Sequence, residues 1–283
     1  MYGYEYHEPQ SLAEATSLLA AYGENARVLA GGTDLIVQMR KGVLLPQHLI
    51  NIKKIPGLDR ITVNEDTIDI GAAVTLNEAE KFLAAYPEYA VLGQAMHSVA
   101  SVQIRHRATL AGNLCNASPA ADTAPALVVL GAKVKLHGTH GDRLVAVEKF
   151  FAGPRKTVLL NGEVVSAVVL QRLSPQAKGV FLRKARRPSV DLATVNVAAF
   201  SDQTSFRLAL GAVAPTVIRV RTAEELIKHE GLSPATIDKA AELARLAAKP
   251  ISDIRGSAAY RLELVATLTE RALSALAATE VRK

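Results

Sequence analysis

Leu29-Ala30-Gly31-Gly32-Thr33-Asp34-Leu35-Ile36 lies where a short strand-forming run, Arg27-Val28-Leu29-Ala30, gives way to a short helical run over Asp34–Arg40. It is a strand-to-helix turn carrying two adjacent glycines. Without a Cβ the backbone takes positive φ and brings successive N–H groups to one side, so a phosphate can approach the main chain closely. Thr33 and Asp34 add side-chain hydrogen bonds, either to ligand hydroxyls or as a cap on the helix. On this octapeptide alone, a tight turn with an N-cap and a ligand loop are equally good readings.

A second segment shares this character. Thr109-Leu110-Ala111-Gly112-Asn113-Leu114-Cys115-Asn116-Ala117-Ser118-Pro119-Ala120-Ala121-Asp122 is rich in small and hydrogen-bonding residues and belongs to a stretch, Ile104–Asp122, that reads as irregular. Long structureless loops in compact domains are usually functional. Asn113, Asn116, Ser118 and Asp122 supply donors and acceptors. Cys115, among small and apolar neighbours, reads as buried filler rather than a reactive thiol.

Around these loops the chain divides into units. Its 283 residues correspond to roughly two domains of about 150 residues. Ser11-Leu12-Ala13-Glu14, Thr75-Leu76-Asn77-Glu78 and Thr222-Ala223-Glu224-Glu225 have capping-box form and predict helix starts. Ile61–Val63 and Thr67–Ile70 alternate across Asn64-Glu65-Asp66 and predict a hairpin. Leu49–Asn51, Lys133–His137, Val164–Gln171, Gly179–Lys184, Thr194–Phe200 and Phe206–Val213 read as strands. Glu88–Val99, Thr123–Leu130, Pro234–Leu246 and Tyr260–Ala277 read as helices. The chain breaks near Pro56-Gly57 and again at Ser174-Pro175. Strands and helices in separate runs predict an α+β protein.

Composition removes several classes. With 49% apolar residues the chain is globular, and no apolar run approaches the roughly 18–20 residues of a membrane span. The N-terminus lacks the basic and apolar regions of a secretory signal, and one cysteine admits no internal disulfide, so a cytoplasmic location is expected. A single cysteine also cannot supply the four thiolates of an ordinary iron–sulfur cluster. There is no G-x-G-x-x-G, no P-loop, no H-E-x-x-H and no G-x-S-x-G in the sequence. His137-Gly138-Thr139-His140 reads as an exposed hairpin tip, so no metal site is expected. The net charge of +6 resides wholly in Ser174–Lys283; Ser174–Arg221 alone holds 8 basic and 2 acidic residues. That segment reads equally as a solvated strand face or a partner surface, and it shows no nucleic-acid reader motif.

Taken together, LAGGTDLI and, some 75 residues later, TLAGN-x(4)-SPAAD resemble the FAD-binding medium subunits of the xanthine dehydrogenase / carbon monoxide dehydrogenase family of molybdenum hydroxylases. The resemblance continues through Gln103-Ile104-Arg105, Phe150–Pro154, Lys184, Arg186-Arg187, Asp191–Ala193, Gly211–Pro215 and Gly256–Arg261. It implies an FAD-binding domain of the vanillyl alcohol oxidase type, in two α/β subdomains of about 1–56 and 57–173. An α+β C-terminal domain with a small antiparallel sheet and helices would follow over 174–283.

The resemblance also implies roles. Leu29, Ala30, Gly31, Gly32, Thr33, Asp34, Leu35 and Ile36 would wrap the FAD pyrophosphate. Thr109, Leu110, Ala111, Gly112 and Asn113 would hold it from the other side. Asp122 matches an FAD-contacting aspartate, and Val99, Ile104, Val165 and Lys184 align with further contact positions. Many relatives have His-Ser where this chain has Thr33-Asp34, although Thr-Asp also occurs in the family pattern. The implied partners are a small iron–sulfur subunit, a large molybdenum-cofactor subunit and an external acceptor: NAD, oxygen or a quinone. Two other readings stay open at this stage: a self-sufficient flavin oxidase or reductase of the same fold, and a nucleotide-binding scaffold or sensor without redox work.

Overall fold

Capping starts the first helix. Ser11 Oγ accepts from the Glu14 N–H at 3.1 Å and the Leu12–Tyr22 helix follows. In this computed structural model, which describes residues 3–187, 190–202 and 205–280, the helix packs on a parallel sheet ordered Glu5–His7, His48–Asn51, Ala26–Leu29. The Ala26–Leu29 strand runs through Gly31-Gly32 into the Leu35–Arg40 helix.

A five-stranded antiparallel sheet comes next, ordered Ile61–Val63, Thr67–Gly71, Val164–Gln171, Lys133–Gly138, Gly141–Ala146. Its middle strand is buried from Val164 to Leu170, as its unbroken run of apolar and small residues requires. Helices Leu76–Leu83, Ala90–His97, Leu110–Cys115 and Thr123–Val129 belong to the same region, and the first opens with a complete Thr75/Glu78 capping box.

A third sheet is antiparallel, ordered Lys178–Lys184, Val195–Ser201, Phe206–Gly211, Ile218–Arg219. It is covered on both faces. Phe181, Ala198, Phe200 and Ala209 join the core shared with the Ala90–His97 and Thr123–Val129 helices. Val195, Val197, Ala199, Leu208 and Leu210 pack with the helices Arg221–Glu230, Pro234–Ala247 and Ala258–Glu280. Burying Phe200 completely contributes about 1.5–3 kcal/mol. This double packing puts alternate residues of the Lys178–Lys184 strand against the N-terminal half of the chain. No helix among the described residues is long and apolar enough to cross a membrane.

Two expectations need correction. The helix expected to open at Thr222 begins at Arg221, after Val220, with no side-chain cap. Thr222 therefore sits inside the first turn, beside the buried Glu224, which accepts from the Leu208 N–H and forms a fork with Arg219 at 2.9 and 2.5 Å. The stretch from Ile104 to Asp122 is also not irregular throughout, because Val102–Arg105 and Leu110–Cys115 are short helices. The second is capped by Thr109 Oγ1, which accepts from Gly112 N–H at 3.0 Å.

Candidate functional site

The two glycine-bearing segments meet. A Cβ on Gly31 would stand 2.1 Å from the Arg107 carbonyl oxygen and 2.8 Å from Ala108 Cα, so only glycine lets the backbones pass this closely. Gly32 follows with φ of +73°. The N–H groups of Gly32, Thr33 and Asp34 have no acceptor among the described residues. Asp34 makes no side-chain cap bond, so Thr33 and Asp34 do not satisfy these donors. Leu29 is buried, and Leu29 and Ile36 flank Gly32 and support the turn from below.

Lys53 completes this half. Its Nζ donates to the Ala30 carbonyl at 3.2 Å. Partial burial, and then the neighbouring Arg107 cation, hold its pKa below the usual lysine value. A charge held down by a like charge gains from a bound anion. Free main-chain donors on a turn whose path requires glycine, and a basic side chain beside it, fit the diphosphate of a dinucleotide.

The second segment is anchored at both ends. Ala108 accepts from the Leu76 N–H at 2.8 Å, and Thr75 bridges Thr109. Leu110 and Ala111 are buried, and Asn113 Oδ1 accepts from Thr123 Oγ1 at 2.6 Å. Ala100, Ala117 and Ala212 have φ of +48°, +45° and +63°. Ala117 lies within the segment, and Ala212 donates its N–H to Pro119 O at 2.7 Å. Strained non-glycine backbone of this kind concentrates at functional sites.

Asp122 forms a second polar centre. Its Oδ1 accepts from Asn196 Nδ2 at 2.9 Å, and its Oδ2 lies 3.3 Å from Arg183 Nη1. Burial pushes its carboxyl up to about 6, although Arg183, Asn196 and Ser98 pull it down. Arg183 also donates to the Ser98 carbonyl at 2.6 Å and to the Asp191 carbonyl. Arg105 donates to the Val99 carbonyl at 3.1 Å. Arg183 Nε, Arg105 Nε and Asn196 Oδ1 are buried without a hydrogen-bond partner.

The remaining expected residues fall around these centres. Val99 borders the Arg105 side chain. Ile104 is exposed, and its carbonyl accepts the Ala108 N–H at 2.7 Å. Val165 is buried at a β-bulge in the strand packed against the Leu110–Cys115 helix. Lys184 is exposed at its strand end, and its carbonyl accepts the Thr194 N–H. The inward-facing cation is its neighbour Arg183. Lys53 and Arg183 were not singled out from sequence. Arg183 shares a strand face with Phe181, but the sheet is covered on both faces, so that alternation does not mark the face that meets the site.

Cys115 departs from expectation: it is exposed, not buried. Yet its surroundings push the thiol up to about 12. Little thiolate forms there at neutral pH. Alkylation of the native protein at pH 8 is expected to run slower than that of the unfolded chain, measured by intact mass against time. Equal rates would contradict the shift.

The sequence pattern of the family described as "FAD binding domain in molybdopterin dehydrogenase" matches residues 2–171. That of "CO dehydrogenase flavoprotein C-terminal domain" matches residues 180–276. The chain is 33% identical over 279 residues to the xanthine dehydrogenase FAD-binding subunit of Escherichia coli O157:H7, covering 95% of this chain and 94% of that one. It is 30% identical to the carbon monoxide dehydrogenase medium chain of Hydrogenophaga pseudoflava, with 96% of each chain covered. A solved carbon monoxide dehydrogenase of H. pseudoflava superimposes with a TM-score of 0.92 at 29% identity over 96% of both chains. Quinoline 2-oxidoreductase of Pseudomonas putida 86 does so with a TM-score of 0.89 at 30% identity, also over 96% of both chains.

Proposed function

This chain belongs to the FAD-binding medium subunits of the molybdenum hydroxylases, and from that premise we propose that it is the electron-transfer subunit of a heteromeric complex. One observation carries the proposal further than any other: Gly31 abuts Arg107–Ala108, so the glycine loop and Thr109–Asn113 form one continuous wall.

In this reading the N–H groups of Gly32, Thr33 and Asp34 solvate the FAD diphosphate, and Lys53 balances part of its charge. The turn Thr109–Asn113 closes the seat from the other side. Asp122, held by Arg183 and Asn196, offers its remaining lone pairs to a hydroxyl. Val99, Ile104, Val165 and Lys184 border the seat. Residues 1–173 carry it, in subdomains of about 1–56 and 57–173, and 174–283 form a C-terminal domain packed against it. When bound, the flavin supplies the redox chemistry, taking up electrons singly or in pairs and releasing them onward.

The chain has one cysteine, so a four-thiolate cluster must come from another subunit. A small iron–sulfur partner feeds electrons in, a large molybdenum partner oxidises the substrate, and NAD, oxygen or a quinone takes the electrons away. The complex works in the cytoplasm.

Acid precipitation of the purified chain is expected to release one FAD per chain into the supernatant. The isolated chain should be reduced by dithionite and left oxidised by organic substrates until the iron–sulfur and molybdenum subunits are added. Flavin retained on the pellet, or FMN in its place, would overturn the cofactor assignment. Rapid flavin reduction by a substrate with this chain alone would overturn the relay.

A further inference from the structure

Three side chains converge at the edge of the parallel sheet, away from both glycine segments. Glu5 and His7 are two residues apart in one strand and so point to the same face. The register pairs Glu5 with His48 in the neighbouring strand, which brings His48 beside them. His7 Nε2 lies 3.1 Å from His48 Nδ1. Glu5 Oε2 lies 3.3 Å from His48 Nδ1 and 3.8 Å from His7 Nε2.

These separations are the edges of a coordination polyhedron. The circle through the three atoms has a radius of about 2.0 Å, and zinc bonds to imidazole nitrogen and carboxylate oxygen at about 2.0–2.2 Å. An ion at bonding distance from all three atoms therefore sits in their plane or just above it, as at the base of a tetrahedron. The rings are held ready. The Tyr22 ring stacks on His48 at 3.6 Å with an interplanar angle of 11°, and on His7 at 5.5 Å. The imidazoles are 21% and 13% exposed and the Glu5 side chain 71%, so the cluster opens to solvent on the Glu5 side. The hydrogen bond between the two rings occupies one nitrogen of each.

We propose that Glu5, His7 and His48 form a site for a divalent transition-metal ion, with zinc the best match to two imidazoles and one carboxylate, and with a fourth position open to water. The ion would tie the three-residue Glu5–His7 edge strand to the central His48–Asn51 strand. Glu5 is the ligand supplied from solvent, and the stacked histidines are the fixed pair. Nothing in this assignment depends on flavin.

The test uses the full-length, flavin-loaded protein stripped with chelator. Zinc is titrated by calorimetry, and bound metal is counted after gel filtration. One zinc per chain is expected, and cobalt in its place should give tetrahedral ligand-field bands. His7→Gln and His48→Gln should each weaken binding by about tenfold or more, with unchanged flavin content. Glu5→Gln, at an exposed side chain that carries no fold, should weaken it as well. Absence of stoichiometric zinc in the wild type, or equal affinity in the His7→Gln/His48→Gln double variant, would overturn the site and leave the two rings as a hydrogen-bonded pair.

Discussion

Gly31→Ala is expected to leave a folded protein without its flavin. The added Cβ would stand 2.1 Å from the Arg107 carbonyl oxygen, a backbone atom that no rotamer change can move. The Leu29–Ile36 loop must therefore lift away from Arg107–Ala108, and the seat opens along its length. Lys53, bonded to Ala30, is pulled out of place with it. A tenfold loss of affinity corresponds to about 1.4 kcal/mol, and separating the two walls should exceed that comfortably. Gly32→Val acts differently, because it places a β-branched side chain at φ of +73°, 3.0 Å from Leu29 Cδ1. Gly57→Ala is the control: φ is +88° there, but the added Cβ meets nothing within 4 Å. It should cost about 1–2 kcal/mol of backbone strain and keep the flavin. Flavin-to-protein ratios of variants with native circular dichroism decide the matter. A Gly31→Ala protein with wild-type flavin would remove the loop from the site.

The second large effect is expected at Arg183. Its guanidinium is the cation beside the buried Asp122 carboxylate, and it also ties the Ser98 and Asp191 carbonyls together. Arg183→Leu leaves a buried carboxylate unpaired, which typically costs about 3–5 kcal/mol. The loss depends on pH in a defined sense. Asp122 already titrates near 6 in the folded protein, above its ordinary 3.8. The folded state thus binds the proton more tightly than the unfolded one, and this group's contribution to stability falls as pH rises from about 4 to about 6. Without Arg183 the folded pKa moves higher still, so the deficit should be largest at pH 8 and shrink towards pH 5. Asp122→Asn removes the titration, and added to Arg183→Leu it should restore part of the loss. Urea midpoints at the two pH values read all of this. A deficit independent of pH, and not relieved by Asp122→Asn, would show that Arg183 contributes only packing.

Much of the architecture is legible in local patterns. The Thr75/Glu78 box starts its helix, the alternation over Ile61–Ile70 makes its hairpin, and the apolar run Val164–Leu170 becomes a central strand. These depend on stereochemistry and on periods of 2 and 3.6, which neighbours in sequence determine. The helix over Leu110–Cys115 was hidden because the residue three after Thr109 is Gly112, which has no side chain to complete a capping box. The Thr222 pattern misled for the opposite reason: it has the form of a box, but the helix already begins at Arg221, so Thr222 lies inside the first turn and not at the N-cap.

The amino-acid sequence by itself determined the two small-residue segments, the positive-φ turn at Gly32, the α+β order of elements and the lack of thiolates for a cluster, whereas the need for glycine at Gly31 comes from the passing Arg107–Ala108 backbone. Only the tertiary structure decided which charges face the site. Lys53 reaches Ala30 because Leu29 pairs with Asn51 across parallel strands. Arg183, not Lys184, meets Asp122 because both faces of the third sheet are covered and alternate residues of its first strand point inward. Parallel register and sheet-face packing join residues far apart in the chain. They follow from how whole elements bury their apolar surfaces together, and no short window of sequence contains that information.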